Sequence, residues 1–216
     1  MNDMNQDQIA KLRKEYQLMI LDEGSCEQDP FNQFGQWLDQ AIQSALVEPN
    51  AMALATVSGG GEPSVRMVLL KRWSVIGLDF FTNCNSRKGE EISSNSNVSL
   101  LFYWGQLERQ VRIYGTAEKL PREDVVEYFS HRPRNSQISA LISNQSQIIN
   151  SRDDLEQAHI KAQEQFKDKV PCPEHWGGYR VIPSSFEFWQ GRENRLHDRI
   201  LYKRSAQGWS LMRLAP

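Results

Sequence analysis

Apolar residues recur at helical spacing in a few stretches and alternate with polar ones, or run in short blocks, across most of the rest. Phe31, Phe34, Leu38, Ile42 and Ala45 follow Asp29 and Pro30 at steps of three and four, which predicts an amphipathic helix with a capping carboxylate, closed by Pro49. Residues 51–57 and 64–71 read as strands joined at Gly59, Gly60 and Gly61 into a hairpin. Further strands are predicted at 78–82, 98–104, 109–118, 179–188, 200–203 and 209–214, with a turn near Gly105. Three helices lie between them: one over 87–94, one opened by Pro121 and ended by His131 because Pro133 follows, and one capped by Ser151 and Asp154 that turns Leu155, Ala158, Ala162 and Phe166 inward. Residues 9–21 read as a short charged helix or mobile arm. Strands joined by hairpins dominate and regular β-α-β alternation is absent, so an antiparallel barrel with helices around it is expected, mainly β, rather than a parallel nucleotide-binding sheet.

Composition narrows the class. The 216 residues suit one domain, and 25 basic against 27 acidic side chains disfavour a general polyanion binder. Three cysteines without a C-x-x-C pair suggest neither a disulfide framework nor a zinc site, which fits a reducing cytoplasm. The first 21 residues are charged where an export signal would be apolar, and no apolar run nears the roughly 20 residues needed to cross a bilayer. The four histidines are scattered without an H-E-x-x-H, and phosphate-loop, G-x-G-x-x-G and G-x-S-x-G patterns are missing.

Cations mark the candidate chemistry. Over 188–199, Arg192, Arg195, His197 and Arg199 follow Trp189 with only Glu193 and Asp198 as local counter-charges. In an extended chain Arg195, His197 and Arg199 would share one face, where they need water or an anionic or π-rich partner. Arg66 and Lys71 bracket the apolar block Met67, Val68, Leu69 and Leu70. Ser86, Arg87, Lys88 and Gly89 open a helix, where cations oppose the macrodipole by roughly 0.3–1 kcal/mol each unless an anion binds. Tyr128, Arg132, Arg134 and Ser136 surround the Pro133 turn, where a helix exit alone could explain the arginines. Gln110, Gln145 and Ser146 are individually uninformative.

Taken in order, R-K-E-Y at 13–16, R-M-V-L-L-K at 66–71, F-F-T-N at 80–83, S-R-K at 86–88, L-E-R-Q-V-R at 107–112, Y-F-S-H-R-P-R at 128–134, S-Q-I at 136–138, N-Q-S at 144–146, W-G-G-Y-R at 176–180 and the run from F-W-Q-G to R-L-H-D-R over 188–199 resemble the pyridoxine (pyridoxamine) 5′-phosphate oxidase family across nearly the whole chain. The resemblance implies a split β-barrel homodimer with FMN at the subunit interface, an arm or lid over 1–28 and an oxidase domain over 29–216. It also implies oxidation of pyridoxine or pyridoxamine 5′-phosphate to pyridoxal 5′-phosphate by hydride transfer to flavin N5, with O2 reoxidising the flavin to give H2O2.

By the same resemblance Arg66, Lys71, Arg87 and Lys88 would hold FMN largely through its phosphate, with Met67, Val68, Leu69, Leu70, Phe81 and Thr82 beside it. Gln110, Gln145, Ser146, Trp189 and Arg199 would bind the rest of the cofactor. Lys71, Tyr128, Arg132 and Ser136 would take the substrate phosphate, and Arg195, Leu196 and His197 would line the pyridine, with Arg195 and His197 as the catalytic pair. Arg13, Lys14, Glu15 and Tyr16 would belong to the covering segment. Two departures stand out: Gln17 to Glu27 lacks the family's glycine-leucine pattern, and Phe81 replaces a common tyrosine. A split-barrel reductase with another donor, a flavin or pyridoxal phosphate carrier, and a nucleic-acid binder are the rival readings, separable by turnover with oxygen and by salt dependence.

Overall fold

The computed structural model describes residues 15–216, and within them nine strands and five α-helices form. Helix α1 (Pro30–Gln43) starts as the spacing predicts, with the Asp29 carboxylate accepting the Phe31 N–H at 2.8 Å. It buries Phe31, Phe34, Trp37, Leu38 and Ala41. Trp37 and Ala41 pull the buried arc around the helix, so Ile42, expected inside, is 54% exposed. The helix also stops well before Pro49, and Ala45 sits at φ 52 beyond it.

The strands are β1 (Ala51–Val57), β2 (Pro63–Leu69), β3 (Arg72–Ser74), β4 (Gly77–Asn83), β5 (Asn97–Trp104), β6 (Arg109–Lys119), β7 (Trp176–Gln190), β8 (Asp198–Ser205) and β9 (Gly208–Arg213). The sheet order is β2-β1-β5-β6-β7-β4-β3, with β8 on β7 and β9 on β8. The remaining helices are α2 (Arg87–Ser94), α3 (Arg122–Ser130), α4 (Arg134–Ile142) and α5 (Arg152–Gln165). Two elements were not legible. The spacing passes over β3, only three residues long, and α4, which begins on the very Pro133 that ends α3; proline suits both roles because its fixed φ of −52 needs no amide donor.

The chain divides into two compact units. The central unit, Asn50–Phe102 with Ile113–Ser184, contains the β1–β2 hairpin in the register Ala51↔Leu69 to Val57↔Pro63. Alternation along β1 sends Met52, Leu54 and Thr56 inward. Strand β4 pairs antiparallel with β7 from Leu78↔Val181 to Asn83↔Trp176. Leu120, Val125, Phe129, Ile138, Ala162, Val170 and Trp176 form a separate core under α3, α4 and α5. Ser151 caps α5 as expected, but Leu155 is 40% exposed and among α5 residues Ala162 alone is buried.

The terminal unit holds the described residues up to Pro49, Tyr103–Arg112 and Ser185–Pro216. Its core is aromatic: Phe31 meets Phe186 edge-on at 5.1 Å, Trp37 meets Phe188 at 5.2 Å, and Phe188 meets Tyr202 at 5.5 Å. The Tyr202 hydroxyl, buried within it, donates to the Glu27 carbonyl at 2.7 Å. Residues 15–21 carry no helix, and the rest of the arm expected at 9–21 lies outside the described residues. The 188–199 stretch is not one extended segment: β7 ends at Gln190, Glu193–Arg195 forms a 3-10 turn with Asn194 and Arg195 at φ 55 and 61, and β8 begins at Asp198. The period-two alignment of Arg195, His197 and Arg199 therefore fails, because Arg195 itself sits in the left-handed region and Leu196, at φ −83 and ψ 57, is not extended.

Candidate functional site

In the central unit the site is built around the start of α2. The Ser86 hydroxyl donates to the Asn83 carbonyl at 2.6 Å, and a Cβ on Gly89 would lie 2.0 Å from the Cys84 carbonyl oxygen, so this turn closes only with glycine there. The tight turn buries Lys88. Its ammonium donates to Gln145 Oε1 at 2.6 Å, Ser86 Oγ at 3.0 Å and Thr82 Oγ1 at 3.2 Å, all uncharged acceptors. Burial, and then the nearby Arg66 charge, pull its pKa down to about 8.

Arg66 and Arg87 are not bare cations. Glu91, buried one turn into α2, accepts from Arg87 Nε at 2.8 Å and Arg66 Nη2 at 3.2 Å, and also from Thr56 and Ser64. Burial pushes the Glu91 carboxyl up, but the bonds from Ser64, Thr56, Arg87 and Arg66 outweigh it and hold the pKa at about 2. Sequence reading missed Glu91, although its i,i+4 spacing from Arg87 was the available signal. The helix start therefore carries its own acid, and Lys88 is the cation there whose hydrogen bonds all go to neutral atoms.

A cleft of about 400 Å³ adjoins Lys88 and is lined by Met67, Val68, Leu69, Lys71, Phe81, Thr82, Tyr128, Arg132, Ser136, Gln145 and Trp176. The structure thus gathers most of the expected cofactor and phosphate residues around one hollow. Tyr128 stacks on Phe81 with centroids 3.8 Å apart and planes within 9°, so phenylalanine keeps the aromatic surface where a tyrosine hydroxyl is missing. Arg132 lies over the Trp176 ring at 4.1 Å and donates to the Ser136 carbonyl at 3.2 Å. The Trp176 indole N–H is buried without a hydrogen-bond partner. Leu70 is buried in the core and does not line the cleft, and Ser146 is exposed at φ 73.

The terminal unit gathers the other set. His197 lies against Trp189 with centroids 4.6 Å apart, and Tyr16 meets each ring edge-on at 5.8 Å. His197 Nδ1 accepts the Arg192 backbone N–H at 3.1 Å, which places the proton of the neutral ring on Nε2. Burial and then the Arg195 charge hold the imidazole below its ordinary pKa, so it is neutral at pH 7. Arg195 and Leu196 are exposed on the turn. Arg199 is instead engaged, with Nε on Glu187 Oε1 at 2.9 Å and Nη1 on the Ala215 carbonyl at 2.8 Å, while Arg112 meets Glu187 Oε2 at 3.2 Å. Gln110 is half-buried on β6 and Glu15 is exposed, whereas Arg13 and Lys14 lie outside the described residues.

An antiparallel sheet of this order, with an amphipathic cleft beside a buried, anion-ready lysine, defines an FMN-binding split β-barrel. A sequence model described as pyridoxamine 5′-phosphate oxidase matches residues 38–165, and one described as pyridoxine 5′-phosphate oxidase C-terminal dimerisation region matches 176–216. The chain belongs to the pyridoxamine 5′-phosphate oxidase family. It is 50% identical over 209 residues to a pyridoxine/pyridoxamine 5′-phosphate oxidase of Rubrobacter xylanophilus, covering 96% of each chain. Its identity to the enzyme of that name from Trichormus variabilis is 50% over 210 residues, 96% of this chain and 98% of the relative. Among solved structures, PhzG from Burkholderia lata in complex with tetrahydrophenazine-1-carboxylic acid superimposes with TM-score 0.89 at 27% identity, over 94% of this chain and 100% of that one.

Proposed function

We propose that this protein is an FMN-dependent oxidase that converts pyridoxamine 5′-phosphate and pyridoxine 5′-phosphate to pyridoxal 5′-phosphate, working as a homodimer. The observation that carries the reading is Lys88, a buried ammonium held by three neutral acceptors at the edge of a cleft that also contains Lys71, Tyr128, Arg132 and Ser136. A desolvated cation with no carboxylate among its hydrogen-bond acceptors is stabilised by a bound phosphate, and two phosphorylated molecules supply the charges this set can take. The orphaned Trp176 N–H in the cleft lining fits the same need for an acceptor. The names of relatives at 50% identity agree.

When bound, FMN would supply the acceptor for a hydride from the substrate C4′ carbon and a path for the two electrons to O2, which becomes H2O2; the alcohol gives the aldehyde directly, and the amine gives an imine that water hydrolyses with release of ammonia. The protein's part is placement. Lys88 and Arg87, with Arg66 behind them, hold the cofactor phosphate, while Thr82 and Gln145 orient its polar edge. Lys71, Tyr128, Arg132 and Ser136 hold the substrate phosphate, and the Phe81–Tyr128 stack gives it an apolar wall. His197, neutral and protonated at Nε2, donates a hydrogen bond to the pyridine side rather than accepting a proton there, and Arg195 stabilises negative charge beside it. Trp189, Gln110 and Arg199 of the terminal unit and Ser146 of the central unit are further cofactor-binding candidates, and Leu196 is a pyridine-binding one. Of the arm expected over 1–28, the described residues 15–28 take the covering role and the rest lies outside the described residues, while 29–216 is the oxidase domain. Three free cysteines suit a cytoplasmic protein, and among the described residues no helix is long and apolar enough to cross a membrane.

The test is the visible spectrum of purified protein given pyridoxamine 5′-phosphate without oxygen and then in air. The flavin band bleaches, recovers in air, and pyridoxal 5′-phosphate forms. A flavin band that never bleaches points to a carrier or to a reductase with another donor, and a protein that FMN cannot reconstitute sinks the proposal.

A further inference from the structure

Glu108 is buried, only 2% exposed, at the turn that enters β6, in the left-handed region at φ 56. Its carboxylate Oε2 accepts two successive backbone N–H groups, from Gln17 at 2.9 Å and Leu18 at 3.2 Å. Its own carbonyl accepts the Gly191 N–H at 2.7 Å and the Gln190 side-chain amide at 3.2 Å. One residue thus ties the segment at 16–18 to the end of β7, a few residues before His197.

The fit at Gly191 points the same way. A Cβ there would sit 2.7 Å from the Tyr16 ring and 3.0 Å from Glu108 Cβ, although the backbone angles of Gly191 suit any residue. Glycine is therefore needed for space: Tyr16 lies directly across it, with its ring on Trp189 and His197.

We infer that Glu108 is a positioning residue: by gripping the amides of Gln17 and Leu18 it seats Tyr16 over the Trp189–His197 pair, and so controls how exposed His197 is to water and how well the site holds substrate. The inference rests on the proposed role of His197 toward the pyridine ring. A carboxylate grip suits this task because charge-assisted hydrogen bonds to N–H groups are stronger than neutral ones, and both amides converge on one oxygen. Without it the seated segment becomes one state among several, and substrate affinity falls in proportion to the seated fraction.

The experiment compares Glu108→Leu, Glu108→Gln and Gly191→Ala in the FMN-loaded full chain. Glu108→Leu should speed hydrogen exchange at the Gln17 and Leu18 amides by about tenfold or more. It should raise the His197 ring pKa, read by NMR, toward the ordinary imidazole value, because burial is the main cause of its depression. KM for pyridoxamine 5′-phosphate should rise about tenfold while kcat changes less than about threefold, since saturating substrate draws the segment back. Glu108→Gln keeps an oxygen able to accept both amides and should restore most of each effect. Gly191→Ala leaves the carboxylate in place, displaces Tyr16 and should reproduce the pKa and KM changes. An FMN-loaded Glu108→Leu protein that exchanges both amides at the wild-type rate overturns the inference. So does one whose amides loosen while KM and the His197 pKa stay unchanged. If Glu108→Leu does not fold, unchanged KM and pKa in Gly191→Ala overturn it instead. If amides and His197 shift together in a protein that never oxidises the substrate, the grip stands and the assigned activity falls.

Discussion

Lys88 shows how a single side chain can be poised for a ligand by what surrounds it. Its three acceptors are neutral, and burial and then the Arg66 charge, only partly offset by the Glu91 carboxylate, bring the pKa down to about 8. Binding an anion favours the protonated form. FMN affinity of the flavin-free protein should therefore be highest below pH 8 and fall as pH rises above it, approaching tenfold per pH unit until the raised pKa of the complex is reached. Fluorescence titration of FMN between about pH 7 and 9.5 measures this, and Lys88→Gln should bind weakly with a flat profile over the same range; a flat wild-type profile would remove Lys88 from the phosphate. The cations at 66, 87 and 88 were readable as a set from the chain, but their division was not. Glu91 takes Arg66 and Arg87 and leaves Lys88, a choice made by burial and by the approach of β2 to α2.

At the scale of elements, period and punctuation carried most of the reading. The Asp29 cap, the β1–β2 hairpin and α2 stand where residue spacing put them, because each depends on neighbours within a few positions. What failed depended on more. Helix α4 hides behind Pro133, whose presence signals only an ending, and the turn at Glu193–Arg195 rests on left-handed φ at Asn194, a residue type that favours it, and at Arg195, which does not announce it. Gly89 is the element-scale position with the sharpest requirement. Gly89→Ala drives a Cβ into the Cys84 carbonyl, and overpacking against backbone costs about 1–3 kcal/mol, enough to lower Tm by several degrees in a chain of this length. The shift at the start of α2 should also weaken FMN retention, read as flavin absorbance per protein after gel filtration. Gly60→Ala, where a Cβ meets nothing closer than 3.7 Å, is the control expected to leave both unchanged.

At the scale of the whole molecule, the match of 176–216 to a dimerisation region calls for a partner subunit, and the sheet separately ends at β2. Strand β2 ends the sheet and shows Val65 and Met67 to solvent at 68% and 64%, alternating with the inward Arg66. A partner subunit over this face would cover them. Val65→Glu should raise the dimer dissociation constant by about tenfold or more, as a buried unpaired charge does, and should release FMN in parallel. Sedimentation velocity with absorbance at the flavin band checks both; a tight, yellow Val65→Glu dimer would place the interface elsewhere.

Hydrophobic period, caps and glycine turns were enough to specify a mainly antiparallel sheet with inserted helices, and the order of cationic and aromatic motifs was enough to indicate the family, since both are written in residues a few positions apart. The pairing of charges, the seating of Tyr16 on Gly191 and the setting of Lys88 depend on groups far apart along the chain, as distant as Tyr16 and Gly191, brought into contact by the fold. Desolvation and partner choice do not exist until those groups meet, and so the chemistry of each side chain was settled by packing rather than by its neighbours in sequence.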